Sequence, residues 1–557
     1  MLGYVTGPDQ AEPVRSTIGG ALDLAAAHDS EALALISQHQ GLRWTYGRLA
    51  AESDCFARSL LALGVGPGER VAVWSPNCAE WAAAQFGTAK VGAILVAMHL
   101  ACRADDLVHM LGITEASVLV VARGLAHLDY MAALRECVPE LDAHDPGKLH
   151  SARLPTLRHV IILDEQGGPK AAWSWRQFLA MGSVIPAMQL ALRASTLDTD
   201  DPAVIQFTSG GGKPARAVTF SHSALLTNGQ TVANGIGLTS GDRVCLPIPF
   251  YHCFGSVVGS LGALCRGAAV VLPSRSFDST AVSAAVQGER CTVLCAVPTM
   301  ISAQLNEASF DGINLSSLRT VMMGGWPFDS AIIRALHDRL PLLERVVACA
   351  YGASDVSPIL SLSVPGDPLD RVAAMEGTLL PYVEASVIDP LTGELNGHGG
   401  PGELCLRGSV SMSGVWEGTG VSPAAGPDGW AQTGELATVT VDGRLGVLGL
   451  RADLIMAGNG RLVVPRYVEE VVASHPSVAG VVVSGVAAGR GGEVVCAWVQ
   501  RRPGSALTES ELATFCRSRL PRSLQPQRWQ FADAFPKTET GRPDRAALRH
   551  VGLGGLP

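Results

Sequence analysis

The sequence predicts an α/β protein of two domains: a large N-terminal domain of layered α/β sheets ending in a small β-rich subdomain, and a small α+β C-terminal domain. Three observations predict it. The chain has 557 residues, more than one hydrophobic core ordinarily organises. Short unbroken apolar runs alternate with helical patterns over most of its length, as buried parallel strands and their crossover helices do. The pattern then changes character near Leu379 and again after Gly449.

Each element follows from its local pattern. TYGRLAAESDCFARSLLALGV, from Thr45, reads as an amphipathic helix with Leu49, Phe56, Leu60 and Leu63 near one face, stopped by the turn GVGPGE. RVAVWSP reads as a buried strand and CAEWAAAQFGTAKVGA as the next helix. The strand-like runs ASVLVVA, HVIILD, AAVVLP, CTVLCAVP and LRTVMMGG continue the alternation, with helices between them. From about Leu379, VEASVID, GELCLRG and GRLGVLG are short strands joined by turn sequences such as DPLTGE and VDGR, which reads as a β-rich subdomain. After Gly449, PRYVEEVVASHP and TESELATFCRSRL read as helices, the second opened by Thr508 as N-cap with Glu511 three residues on; VAGVVVSGV and EVVCAWVQ read as strands. The boundary is placed between 449 and 450, giving domains 1–449 and 450–557.

Composition narrows the function. Apolar residues make up 47% and charged residues 17% of the chain, which belongs to a folded globular protein. The net charge is −9 with both signs interspersed, so no basic face recommends nucleic acid; Arg517–Arg522 reads as a solvated helix end. Thirteen cysteines stand without CxxC pairs or zinc spacing, which fits a reducing, cytoplasmic compartment, and Cys291 and Cys295 read as buried hydrophobes. The first residues lack the charged and apolar regions of a signal peptide, and no apolar run reaches the ~20 residues of a membrane span.

Five segments carry chemistry. In residues 205–225, IQFTSGGGKPARAVTFSHSAL, a strand runs into Thr208, Ser209, Gly210, Gly211, Gly212 and Lys213 before a new helix near Ser221. Successive glycines let backbone N–H groups converge on an anion, and hydroxyls and a cation add to them; a flexible surface loop is the plain alternative. PIPFYHCFG, residues 247–255, frames Tyr251 and His252 between prolines and a glycine, where packing alone also explains a histidine among aromatics. VACAYGASDVSP, residues 347–358, is a strand running through Ala350 to a Tyr351–Gly352 turn followed by Ser354 and Asp355. An acid at a strand's carboxyl end stands where α/β ligands bind and suits Mg2+, although an Asp satisfied within a turn reads equally well. DGWAQTGELATV carries Glu435, a candidate for ribose hydroxyls, and FPKTETGRPDRAALR presents Arg542 before a helical tail; each alone also reads as a solvated charge.

In their order and spacing these segments resemble the adenylate-forming superfamily, which includes acyl- and aryl-CoA ligases, firefly luciferase and peptide-synthetase adenylation domains. The resemblance covers roughly residues 40–550 and includes the opening TYGRLA…GVGPGERVAVWSPNCAEW and the segment RTVMMGGWPF. It implies an AMP-forming ligase that uses ATP and Mg2+ to activate an acid, with a mobile C-terminal lid. Thr208, Ser209, Gly210, Gly211, Gly212 and Lys213 would hold the ATP phosphates. Gly324, Gly325, Trp326, Tyr351, Gly352, Ser354, Glu435 and Arg451 would border adenine and ribose, and Asp355 would hold Mg2+. Tyr251, His252, Met323, Gly325 and Ala350 would line the substrate pocket, Asp453 would be the hinge, and Arg542, His252 and Asp355 the catalytic group.

The chain also departs from the superfamily. The usual loop TSGTTG-x-PKG loses hydroxyls at Gly211 and Gly212 and gains Lys213. Asp355 replaces Glu, Glu435 replaces Asp, and Arg542 replaces the adenylating Lys. Arg keeps the charge but is planar and bulkier, so that exchange is not conservative. Three exchanges preserve sign, which speaks against a degenerate ligand-binding homologue. The expected substrate is an aromatic or medium acyl carboxylate, with CoA as acceptor. The alternative is a natural-product enzyme of secondary metabolism whose acceptor is an amine or a carrier protein, or which activates nitrite to diazotise an aryl amine.

Overall fold

A computed structural model describes residues 3–8, 12–125, 128–164, 168–208, 215–307, 312–325, 330–340, 343–353, 357–364, 366–397, 399–418, 420–423, 425–457, 462–487, 492–537 and 543–551. Two large sheets organise the N-terminal part. In the nine-stranded sheet Arg70–Trp74, Ile94–Ala97, Val118–Val121, His159–Ile162 and Pro202–Phe207 are parallel. In the fourteen-stranded sheet Leu33–Ser37, Arg243–Cys245, Ala269–Leu272, Val293–Ala296, Thr320–Met323 and Arg345–Ala353 are parallel.

The apolar runs are unbroken because both faces of each sheet are covered. Val118 and Val120 enter the core between the sheets, whereas Leu119 and Val121 enter the core on the outer face. Val293 and Cys295 face the shared core, and Leu294 and Ala296 the opposite outer core. This is the two-residue alternation of a strand, read out on two apolar faces. Helix Ala79–Lys90 lies in the shared core with all but Glu80 of its residues buried. Lys90 is tolerated there because its ammonium reaches Asp23 at 2.5 Å and also Asp54. Helix Tyr46–Ala62 begins where expected, with Thr45 Oγ1 accepting from the Arg48 N–H at 3.2 Å. Its Leu49, Phe56 and Leu60 are buried and Leu63 half-buried.

The β-rich segment starts at Glu376. Its antiparallel strands Glu376–Leu379, Val383–Ile388, Gly402–Gly408, Ala431–Val439 and Leu445–Leu450 continue the fourteen-stranded order. The C-terminal part has its own core, built from helices Pro465–Ala473 and Glu509–Arg517 on the sheet Val478–Ala487, Glu493–Arg501 and Arg528–Phe531. Thr508 and Glu511 form the expected capping box. All thirteen cysteines are free thiols, with Cys291 and Cys295 buried. Among the described residues no helix is long and apolar enough to cross a membrane.

Candidate active site

Arg243–Cys245, Val293–Ala296, Thr320–Met323 and Arg345–Ala353 lie side by side and parallel, so the segments at their carboxyl ends meet along one edge. Three contacts show the meeting. The Gly324 N–H donates to the Ala296 carbonyl at 3.2 Å. A Cβ on Gly324 would stand 3.0 Å from Cε1 of Phe254, and one on Gly325 would stand 3.5 Å from Cγ1 of Val297. Gly325 has φ +96°, in the left-handed region that glycine adopts without strain. At Gly352 a Cβ would lie 2.2 Å from the Pro358 carbonyl oxygen, so only glycine fits this approach of two strands.

The His252 segment is held from the other sheet. Asn77, just beyond the strand Arg70–Trp74, accepts from the Phe250 N–H at 2.8 Å and donates to the Ile248 carbonyl at 3.0 Å. Gln206, near the end of Pro202–Phe207, donates through Nε2 to the Tyr251 carbonyl. The chain then enters a π-helix, Phe254–Leu261, a wider turn that recurs at functional sites. The His252 segment is therefore held by residues at the carboxyl ends of strands from the other sheet. Asn77 and Gln206 were not singled out by sequence reasoning. Their only local signal is an amide next to an apolar strand, and their partners lie 171–173 and 45 residues away.

His252 Nδ1 accepts from the Phe254 N–H at 3.1 Å, which leaves Nε2 to carry the proton of the neutral ring. Burial disfavours its charged form, but the Cys253 sulfur, 3.9 Å from Nδ1, works the other way and the net pKa is raised. The Tyr251 ring meets His99 edge to face at 4.9 Å, and burial, with Cys102 nearby, pushes its phenol up to about 12. It stays a neutral hydroxyl at any physiological pH.

Thr208 closes the base of the glycine-rich loop. Its N–H donates to the Arg216 carbonyl at 3.0 Å, and its Oγ1 accepts from the Arg216 N–H at 3.1 Å. Tyr351 is buried among irregular pairings of its strand with Ser357–Leu362. Ala350 lies on the same strand. Glu435 is half-buried on Ala431–Val439, opposite Leu450, and its N–H donates to Thr433 Oγ1 at 3.1 Å.

One placement revises the sequence reading and two others add to it. Met323 is turned into the outer core with Ile333 and Leu336, while Met322 faces the side shared with Phe254 and Tyr351. The one-residue alternation of a strand decides this. Arg451, expected at the nucleotide border, pairs with the nearly buried Glu403 at 2.6 Å and donates to the Pro390 carbonyl at 3.2 Å. Asp453 pairs with Arg545 at 3.2 Å. Ser209, Gly210, Gly211, Gly212, Lys213, Trp326, Ser354, Asp355 and Arg542 lie outside the described residues.

A layered α/β domain followed by a small α+β domain is the architecture of adenylate-forming enzymes. Residues 22–416 match the AMP-binding enzyme family and residues 467–542 the AMP-binding enzyme C-terminal domain. YngI of Bacillus subtilis (strain 168), an acyl-CoA synthetase by name, is 33% identical over 540 residues, 97% of each chain. The mitochondrial medium-chain acyl-CoA ligase ACSF2 of Rattus norvegicus is 31% identical over 553 residues, 98% of this chain and 89% of its own. The fold is shared with the anthranilate CoA ligase AuaEII in complex with anthranoyl-AMP (TM-score 0.79, 21% identity, 97% and 98% of the two chains). It is shared too with the amide bond synthetase McbA from Marinactinospora thermotolerans (TM-score 0.75, 21% identity, 96% and 99%). The chain belongs to the AMP-binding enzyme family and is an ATP-dependent, AMP-forming acid-activating ligase.

Proposed function

We propose that the protein activates a medium-chain or aromatic carboxylate as its acyl-adenylate and then transfers the acyl group to CoA. The observation that carries this is the meeting of the His252 segment, Gly324–Gly325 and Tyr351–Gly352 on one strand-end edge. The names of the full-length relatives support the acid and the acceptor. The carboxylate oxygen attacks the α-phosphorus in line as the bond to pyrophosphate breaks. The CoA sulfur then attacks the acyl carbonyl and AMP leaves. The protein contributes orientation and compensating charge.

A flat base would lie next to Tyr351 and Gly325, where an added Cβ meets nothing nearer than Val297 Cγ1 at 3.5 Å. Thr208 with Ser209–Lys213 would cradle the phosphates, Gly324, Trp326, Ser354 and Glu435 the nucleoside. Among the described residues no group of three His, Cys, Asp or Glu suits a metal. Mg2+ is ordinarily held by phosphates, water and one or two carboxylates, so the single Asp355 fits it. The ion would supply charge compensation on the phosphates. Arg542 would neutralise the attacking carboxylate and α-phosphate, in a lid of residues 450–557 that rotates between half-reactions. Met322 replaces Met323 among the residues proposed to border the acid. A cytoplasmic location belongs to the same reading.

The hydroxyl-poor loop and Arg542 favour a second reading, in which an amine or carrier protein accepts the acyl group or nitrite is the acid activated. Pyrophosphate release measured over a panel of fatty and aryl acids, amines and nitrite, with and without CoA, separates the two. A CoA thioester formed from a carboxylate supports the first. Adenylate formation with no thioester, and product only with an amine, overturns it.

A further inference from the structure

A buried amide ties the π-helix to the helix Ala79–Lys90. Gln85 lies on that helix and is 3% exposed. Its Nε2 donates to the Ser256 carbonyl at 3.3 Å, and its Oε1 accepts from Ser260 Oγ at 3.0 Å. Both partners belong to the π-helix Phe254–Leu261. Ser256 is bonded in turn to the segment before it: its N–H donates to the His252 carbonyl at 3.0 Å and its Oγ to the same carbonyl at 3.3 Å. An apolar residue at 85 would fill the core without the cost of burying an amide, so what the amide contributes lies in these two bonds.

Close packing confines the π-helix as well. A Cβ on Gly259 would stand 2.5 Å from Leu246 Cδ2, and one on Gly229 of the helix His222–Gly235 would stand 3.1 Å from the Gly262 nitrogen. Such contacts stop the π-helix from approaching these neighbours further but do not keep it from moving away. At its start the Phe254 ring lies against Gly324, where an added Cβ would stand 3.0 Å from Cε1. Phe254 shares a core with Met322 and Tyr351. On the side of Ala79–Lys90, Ser260 lines a cavity of about 20 Å3 with Tyr46, Leu49, Ala82, Phe86 and Phe250. That is about the space of one water molecule, too little for an acyl chain but enough for the π-helix to shift into.

We propose that Gln85 is a positioning residue for acid selection: by holding Ser256 and Ser260 it fixes the π-helix, and with it the place of Phe254 against Gly324, which sets the depth of the acid pocket. The role rests on the placing of the acid beside the His252 segment made above. Without the two bonds the π-helix settles towards Ala79–Lys90, Phe254 withdraws from Gly324, and the pocket lengthens.

The test is ATP–pyrophosphate exchange, which reports adenylate formation without an acceptor. It is run with two series of acids of rising length: hexanoate, octanoate and decanoate, and benzoate carrying a methyl, ethyl or butyl group at the para position. Gln85→Met keeps the volume and removes both bonds, and Ser260→Ala removes one of them from the other side. In Gln85→Met the ratio of kcat/KM for the longest acid to that for the shortest, in the series the wild type activates, is expected to rise about tenfold, the worth of roughly one methylene in an apolar pocket. The KM for ATP is expected to stay unchanged. Ser260→Ala should move the ratio the same way, and the double variant no further than Gln85→Met alone. A merely structural role lowers kcat/KM by one factor for every acid; that result overturns the proposal, as does a ratio unmoved in both variants. Phe254→Leu separates this failure from that of the reading beneath it, because trimming the ring should move the ratio whatever Gln85 does. A ratio unmoved by Phe254→Leu, or no exchange with either series, overturns the placing of the acid and this role with it.

Discussion

The side-chain amide of Asn77 spans the loop that carries His252, with one bond to the Phe250 N–H and one to the Ile248 carbonyl. Both partners are buried, so Asn77→Ala leaves a donor and an acceptor without partners. A loss of about 2–6 kcal/mol in urea unfolding is expected, at ~1–3 kcal/mol for each stranded group. The KM for the acid should rise with it, and an unchanged unfolding free energy would refute the bracket. His222 is a second buried polar residue of this kind. Its Nδ1 accepts from the Ile18 N–H at 3.2 Å, and burial lowers its pKa from 6.5 to about 4. A proton therefore binds the unfolded chain more readily than the fold. The stability that the neutral ring contributes is complete above pH 6.5 and is lost as pH falls from there towards 4. Between pH 7.5 and 5 wild type should lose roughly 2 kcal/mol more than His222→Gln, read by urea unfolding at the two pH values.

At the scale of elements, the glycines matter where strands end. Gly352→Ala would drive a Cβ against the Pro358 carbonyl and force apart the strands Arg345–Ala353 and Ser357–Leu362. A loss of about 1–3 kcal/mol in thermal unfolding is expected from this overpacking. Gly325 differs because it is exposed and nothing crowds it; its constraint is the φ of +96°. Gly325→Ala should therefore cost only about 1–2 kcal/mol in stability while raising the KM for ATP. Equal KM values in variant and wild type would remove Gly325 from the nucleotide border. These elements were legible locally. Apolar runs of four or five residues marked several strands, and Thr508 marked a helix start, because such signals lie within a few residues of each other. Which side of a strand faces the site was not legible. Met322 and Met323 are chemically the same and differ only in which layer covers them.

At the scale of the whole molecule, the cores of the N-terminal part and that of the C-terminal part are joined by a short linker and a small shared contact of Leu436, Leu448 and Val464. Arg466 crosses the same contact, donating to the carbonyls of Val447 at 2.5 Å and Ala374 at 3.1 Å. A chain ending at residue 449 should accordingly fold and bind ATP. It should release pyrophosphate at least about 100-fold more slowly than the full chain, since the Arg542 turn is missing. Thermal shift with ATP and a pyrophosphate assay check both halves of this expectation. Unimpaired release by the truncated chain would exclude the C-terminal domain from the first half-reaction.

The sequence by itself determined the layered α/β class, the position of several core strands, the α+β tail and the ordered segments that mark an adenylate-forming enzyme. All of these are written in residues close together in the chain, where apolar period, glycine and capping side chains act locally. Only the tertiary structure decided that Asn77 holds the His252 loop, that Arg451 goes to Glu403, and that Asp453 is gripped by Arg545. Each joins residues 48 to 173 positions apart. Whether a buried polar group is satisfied depends on what the fold brings to it, and no local pattern records that.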